Sequence, residues 1–434
     1  MSPPLQCFEP PHAIDQIVVV NDDAVASGGA ASIALTSIAL LRKRGLPVTL
    51  LSGGGMVDKN LEALGVDVVS LGGSHILEGS RLSASLRGLY DSSVHGRLAS
   101  WVRANDTPAT IYHLHNWHKV LSPAALSALA EVQPRLFLTA HDFFLACPNG
   151  GYFHYGREKT CALTPMSAAC LMTSCDKRHY AHKLWRVARH GVRAHLFDLT
   201  TTKATILAVH DGMVPLLQQA GVPRSSIKVL RNPVTPWRLE RVPAETNREV
   251  LYVGRLERDK GIDVLLHAAK QVGARLRVVG DGPLLETLRA RHPEAIFMGR
   301  LDRDGISQLC VHARFVVVPT RVRETFGLVA LEGLMSGLPL ITSSSALIAD
   351  EVLSLGIGLA CPPGDIAALA ASLTTLMRDD EIIATMSTRG FNRAHTLAPT
   401  PDDWCSSLLA LYRQKLAGSQ GVRKPHSDGA KSPF

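Results

Sequence analysis

Short apolar runs that stop at small or polar residues recur along the chain, and each is followed by a stretch in which apolar residues return at helical spacing. In the first half the runs are IDQIVVV, LPVTLLS, ATIYHLH and RLFLTAH, with helical stretches from Gly29 to Arg44 and from Ser122 to Val132. Runs this continuous read as strands buried on both faces, the pattern of a parallel sheet covered by helices. The second half repeats it: Val250 to Val253, Leu276 to Val279 and Phe315 to Val318 read as strands, and Ile262 to Ala269 and Phe326 to Met335 as helices. A polar, Pro-containing stretch from Asn232 to Asn247 lies between the halves and reads as a linker. The pattern therefore predicts an α/β protein with domains over 1–235 and 236–400, a helix over 401–417, and a disordered Gly-, Ser-, Lys- and Pro-containing tail over 418–434. A length of 434 residues with 46% apolar positions suits two cores better than one.

In such sheets ligands gather where strands give way to helices. Pro319 closes the strand Phe315 to Val318, so Glu324 falls in the loop before a helix and Glu332 within that helix. Gly327 lets a ligand approach the backbone, and the free amides of the helix start, at Phe326, Gly327 and Leu328, favour an anion such as a diphosphate. Two carboxylates beside a phosphate site suit the vicinal hydroxyls of a sugar or ribose, because a carboxylate accepts hydrogen bonds from both. Arg255 and Lys260 lie on another strand-to-helix connection of the same half, where a planar guanidinium and a mobile ammonium suit a pyrophosphate. The turn Gly280-Asp281-Gly282-Pro283 adds a further small-residue loop at the sheet edge. Taken one at a time, each of these charges also reads as an ordinary solvated side chain.

Together the pieces resemble the family 4 retaining glycosyltransferases of the GT-B fold. The resemblance rests on Gly28-Gly29 after the first strand, His141-Asp142 after LFLTA, Arg231-Asn232-Pro233 before the linker, GRLERDKG, VVGDGP, and the two-glutamate segment ending GLPL, and it covers residues 15 to 365. It implies two Rossmann-like domains facing each other across a cleft. It also implies a nucleotide-diphosphate sugar as donor, with Arg255 and Lys260 on the diphosphate, Glu332 on the ribose, Glu324 on the transferred sugar, and the amides of Gly327 and Leu328 on the phosphates. By the same resemblance His141 meets the sugar near the reacting face, and Gly28 and Gly29 give the acceptor-side loop access to the phosphate. The catalytic set is then Glu324, His141, Arg255 and Lys260; Gly280, Gly282 and Phe326 join the donor contacts. Transfer with retention to a glycan or lipid-linked acceptor, in the synthesis of a surface polysaccharide or glycolipid, is the implied activity. No residue reads as a nucleophile, and the departing phosphate is expected to help deprotonate the acceptor. A nucleotide-sugar 2-epimerase of the same fold and a non-catalytic nucleotide-sugar-binding partner are the alternatives. One departure falls after GLPLITSS, where the family carries a glycine-rich turn before a Glu and this chain runs Ser344-Ser345-Ala346 to Asp350-Glu351.

Charge and composition refine the expected partners. A net charge of +8 and a pI near 9.1 favour phosphates and anionic lipid headgroups. No nucleic-acid motif accompanies the charge, so no nucleic-acid partner is expected. MSPPLQCFEPPH has no apolar core, and no run approaches the roughly 20 apolar residues of a spanning helix. The expected location is cytoplasmic, with peripheral attachment at the inner membrane face. The stretch from Lys177 to Arg193 spaces Lys183, Arg186, Arg189 and Arg193 with Leu184, Trp185 and Val187 at helical intervals. It reads equally as a membrane-surface or acceptor-binding helix and as an amphipathic helix packed on its domain.

An insert at about 143–180 follows His141 and carries four of the eight cysteines, Cys147, Cys161, Cys170 and Cys175. In a reducing compartment clustered thiols suggest a structural zinc or simply small buried side chains, although the intervals are not a standard zinc spacing. No metal is expected for catalysis, since the cationic pair already neutralises the diphosphate. Gly53-Gly54-Gly55 reads as a flexible turn, and His115, at the carboxyl edge of its strand, as a residue within reach of an acceptor.

Overall fold

The computed structural model describes residues 13–76 and 78–420. The expected tail lies largely outside the described residues, since 418–420 close the last helix, Pro401–Gln420. Two parallel sheets carry the chain. The first contains β1 (Gln16–Asn21), β2 (Val48–Ser52), β3 (Asp67–Ser70), β4 (Thr110–Leu114) and β5 (Leu136–Ala140). After a two-stranded hairpin, β6 (Phe153–His154) and β7 (Lys159–Thr160), it continues with β8 (Thr205–Ala208) and β9 (Ile227–Val229). Its order is β3-β2-β1-β4-β5-β8-β9. The second contains β10 (Glu249–Val253), β11 (Arg275–Val279), β12 (Ile296–Gly299), β13 (Ala313–Val318), β14 (Leu340–Ser343) and β15 (Gly358–Cys361), in the order β12-β11-β10-β13-β14-β15. The continuous apolar runs thus became central parallel strands, as burial on both faces requires: Ile17 to Val20 of β1 and Phe315 to Val317 of β13 are fully buried.

By contact the chain divides into two compact units. One is built from the described residues up to Thr139, His195–Ile206 and the described residues from Cys405 onward; the other from Ala140–Ala194 and Leu207–Trp404. In the first unit β1 pairs in register with β2 and β4, Val18 lying beside Thr49 and Tyr112. The carboxylate of Asp22, just past β1, accepts from the amides of Lys119, Val120 and Leu121 and so ties two loops together. Gly53 is no free hinge: a Cβ there would meet Val120 at 2.8 Å, and its amide donates to Asn21. His113 is committed to the core, with its ring nitrogens 2.6 Å from the Tyr412 hydroxyl of the last helix and 2.6 Å from Thr139. His115 is also buried, at 3% exposure.

In the second unit the residues expected to form a linker are held. Buried Arg314 of β13 donates to the carbonyls of Glu245, Asn247 and Leu376, so the chain before β10 is pinned to the sheet. The helix Leu328–Met335 packs through Ala330, Leu331, Gly333 and Leu334. Burying Leu331 completely contributes about 1.5–3 kcal/mol to that anchorage. Among the described residues no helix is long and apolar enough to cross a membrane.

Candidate functional site

Strands β10 and β13 are neighbours and run parallel, so the loops leaving their carboxyl ends meet. Gly261 makes that meeting close: it is left-handed at φ +69°, and a Cβ there would lie 1.9 Å from the Pro319 carbonyl. The Arg321 amide donates to Asp259 O at 2.9 Å and the Thr320 hydroxyl to the same carbonyl at 3.3 Å. Lys260 and Glu324 are thereby brought face to face, Nζ to Oε2 at 2.6 Å, with 28% and 22% of their side chains exposed. The Lys260 charge draws the Glu324 carboxyl below the usual carboxylate range; burial opposes it, and Arg255 adds to the downward pull.

Arg255 opens the same loop. Its guanidinium is 56% exposed and rests on Glu257 at 2.9 Å, while its carbonyl accepts from the Tyr252 hydroxyl. Gly280 and Gly282 sit where β11 ends, and their missing side chains are used for backbone packing. A Cβ on Gly280 would lie 1.8 Å from Gly254 O, and one on Gly282 would lie 2.6 Å from Leu256 O. Gly327, left-handed at φ +81°, turns the chain into the helix Leu328–Met335, whose first turn has no side-chain cap. Its first amides have no side chain closing them off, and they carry the positive end of the helix dipole beside Glu324. Phe326 is buried at 3% exposure and seats this turn.

His141 follows β5, and its carbonyl accepts from the Thr325 hydroxyl at 2.7 Å, which fixes its backbone beside the Glu324 loop. Burial holds the His141 imidazole neutral, its pKa down at about 3. Glu332 does not join the Lys260–Glu324 pair. It accepts from Arg303 at 3.1 Å, and burial raises its pKa against the pull of Arg303 and Trp237. Gly28 and Gly29 belong to the first unit, at the start of the helix Gly29–Lys43, with Gly28 in extended backbone. Glu351, at the departure from the family pattern, has a partner set of its own. Arg231 grips it through Nη2 at 2.5 Å and Nη1 at 3.1 Å, and His210 lies 3.4 Å away. Burial works against its charge, but these bonds prevail and hold its pKa at about 2.

The structure bears on two stretches for which the sequence left alternatives open, the cysteines of the insert and the basic helix that follows it. The four cysteines are free, and among the described residues no group of three or more His, Cys, Asp or Glu is arranged to hold a metal ion. Other side chains occupy the sulfurs instead. Asn149 accepts from Cys147 Sγ at 3.1 Å and donates to Cys175 Sγ at 3.3 Å, and Lys183 donates to Cys170 Sγ at 3.5 Å. Cys161 is half-buried with its amide on Tyr152 O. The helix Tyr180–Leu196 turns its cations inward: Lys183, Arg189 and Arg193 are buried, Arg186 binds Asp176 at 2.9 Å, and Ala181, Leu184 and Ala188 face outward. Of the two readings of this stretch, the packed amphipathic helix is the one that matches the burial. Periodicity alone could not decide, because it fixes which residues share a face and not where that face points.

Residues missed from the sequence include Arg303, the partner of Glu332, and Glu158 and Arg321, which join in an ion pair at 2.6 Å. No local motif marks them, since their partners are far along the chain.

Comparisons with known proteins agree with this architecture. Residues 247–379 match the family described as "Glycosyl transferases group 1". A glycogen synthase of Mycobacterium tuberculosis (strain ATCC 25618 / H37Rv) is 32% identical over 222 residues, which is 49% of this chain and 51% of that protein. The chain thus spans about half the length of these curated relatives. Among solved structures, the sucrose-phosphate synthase of Thermosynechococcus elongatus superposes with a TM-score of 0.69 at 18% identity, covering 93% of this chain and 100% of that one. Anabaena Alr3699/HepE in complex with UDP-glucose superposes with a TM-score of 0.62 at 18% identity, covering 91% and 99%. The chain therefore carries the GT-B fold, and the glycosyl transferases group 1 match falls within its β10 to β15 half.

Proposed function

We propose that the protein is a retaining glycosyltransferase that moves a sugar from a nucleotide-diphosphate sugar to a glycan or lipid-linked acceptor. The observation that carries this reading is the Lys260–Glu324 pair at the uncapped start of the helix Leu328–Met335, with Arg255 on the same loop as Lys260. Breaking the bond from anomeric carbon to diphosphate builds positive charge on the sugar ring and negative charge on the departing phosphate. Arg255, Lys260 and the helix amides oppose the second, and Glu324 orients the sugar by accepting from its hydroxyls. Lys260 divides its three donors between Glu324 and the phosphate, so sugar and leaving group are registered on one ammonium. His141, neutral at pH 7, can donate from one ring nitrogen and accept on the other at the reacting face. Glu332, already steadied by Arg303, is the candidate for the ribose. The structural neighbour solved with UDP-glucose supports a nucleotide-sugar donor, and the glycogen synthase relative supports a glycan as acceptor.

A panel of nucleotide sugars screened by thermal shift, followed by product analysis with glycan and lipid-linked acceptors, tests this. At least one nucleotide sugar should raise the melting temperature and be consumed, with the anomeric configuration kept in the product. A chain that binds none of them, or that inverts the configuration, would overturn the proposal.

A further inference from the structure

The loop that carries Arg255 and Lys260 is gripped by the insert. Glu158 Oε1 accepts from Arg258 at 2.7 Å and from Arg321 at 2.6 Å. Arg321 is 9% exposed, extends its other nitrogen to Asp263 at 2.7 Å, and its amide holds the Asp259 carbonyl. Asp259 also takes the Tyr155 hydroxyl at 3.4 Å and the Lys177 ammonium at 3.5 Å. The two residues immediately before Lys260 are therefore both held by side chains 155–177. Tyr155, Glu158, Lys177, Arg258, Asp259 and Arg321 line a cavity of about 930 Å³, so open space and not packed core lies behind the loop here. Charge pairs set its position where apolar packing does not.

Glu158 itself is strained. It sits in the left-handed region at φ 48° and ψ 45°, a conformation that favours glycine. A glutamate kept in such backbone points to a requirement for its side chain. We infer that Glu158 is a positioning residue: through Arg258 and Arg321 it fixes the loop so that Lys260 meets the donor diphosphate, and the insert thereby sets the grip on the leaving group. This rests on the proposed donor role of that loop. Small displacements of a positioned cation are costly to transfer, so the clasp should be read in donor affinity and rate.

Two variants of the full chain separate this role from simple stability. Glu158→Gly relieves the strained backbone and removes the carboxylate; its melting temperature should fall no further than that of Glu158→Gln, strain relief offsetting part of the lost ion pairs, while nucleoside-diphosphate affinity, by calorimetry, and kcat/KM for transfer fall about tenfold. Glu158→Gln keeps the strain and should lose affinity without that offset in melting temperature. In a Lys260→Ala background Glu158→Gly should add almost nothing, because its effect passes through Lys260. If the parent chain binds no nucleoside diphosphate, the donor reading fails and the inference falls with it. If the parent binds but Glu158→Gly leaves affinity and kcat/KM unchanged, or the two changes add fully, the clasp is refuted while the donor reading stands.

Discussion

Replacing Lys260 by methionine keeps an unbranched stem of four heavy atoms and removes the charged end, which isolates the contribution of the ammonium. In the parent, Lys260 lies 2.6 Å from Glu324, and each side chain is more than two thirds buried. Exposed pairs contribute up to about 1 kcal/mol, and removing one partner of a fully buried pair costs about 3–5 kcal/mol. This pair lies between those limits, so Lys260→Met should cost about 1–2 kcal/mol at pH 7. The dependence on pH has a definite sign. With Lys260 present the Glu324 carboxyl titrates below its unfolded value, and the pair contributes fully above that value and is lost as pH falls through the lowered one. Without Lys260 burial outweighs the remaining pull of Arg255 and raises the carboxyl, so acid relieves the variant while it weakens the parent. The stability gap should therefore narrow as pH falls from about 7 to about 4. Transfer should suffer more than stability, by about 10²- to 10³-fold in kcat, the scale for losing one donor to a developing oxyanion. Urea titrations at the two pH values and initial rates at saturating donor measure both. A kcat within threefold of the parent, or a stability gap that widens in acid, would refute the reasoning.

Other predictions follow from the same contacts. Glu351→Gln should cost about 2 kcal/mol at pH 7 by weakening the grip of Arg231 and His210; because Glu351 titrates at about 2 in the fold, the gap should shrink as pH falls below about 4.5, and urea titrations across that range check it. Gly261→Ala should abolish transfer and lower the melting temperature by several degrees, since its Cβ would meet the Pro319 carbonyl; a scan and an activity assay on purified variant settle it. Chelator should leave transfer intact, since in the proposed donor complex Arg255, Lys260 and the helix amides neutralise the diphosphate; reversible loss on chelation and recovery with a divalent ion would contradict this.

The sheets, and the placing of Lys260 and Glu324 on strand-to-helix loops, were legible in the sequence because each depends on local pattern; that the two side chains pair at 2.6 Å was not. Apolar runs became central strands, and a parallel sheet then brings the loops of adjacent strands together. The Glu158 clasp was not legible: Arg258 and Arg321 look like ordinary loop cations until the hairpin β6–β7 folds against them, and nothing in their neighbours names a partner 100 or 163 residues away. The inward turn of Lys183, Arg189 and Arg193 was hidden for a related reason, since helical spacing is blind to which side of the helix meets the protein. The clustering of the cysteines left a zinc and buried thiols both open, and in the structure Asn149 and Lys183 lie beside those sulfurs. Glu351 read as a departure from the family pattern, yet it is bound by Arg231 from a segment far upstream.

The central claim is that the two glutamates hold different parts of one donor, Glu332 the ribose and Glu324 the sugar. Calorimetric binding of the nucleoside diphosphate to Glu324→Gln and Glu332→Gln, beside their transfer rates, tests it most directly. Removing a charged acceptor from a desolvated hydroxyl costs about 1.5–3 kcal/mol. Glu332→Gln should therefore weaken nucleoside-diphosphate binding by about 10- to 100-fold, and Glu324→Gln should leave that binding nearly intact while transfer collapses. Equal weakening of nucleoside-diphosphate binding by both changes would contradict the assignment.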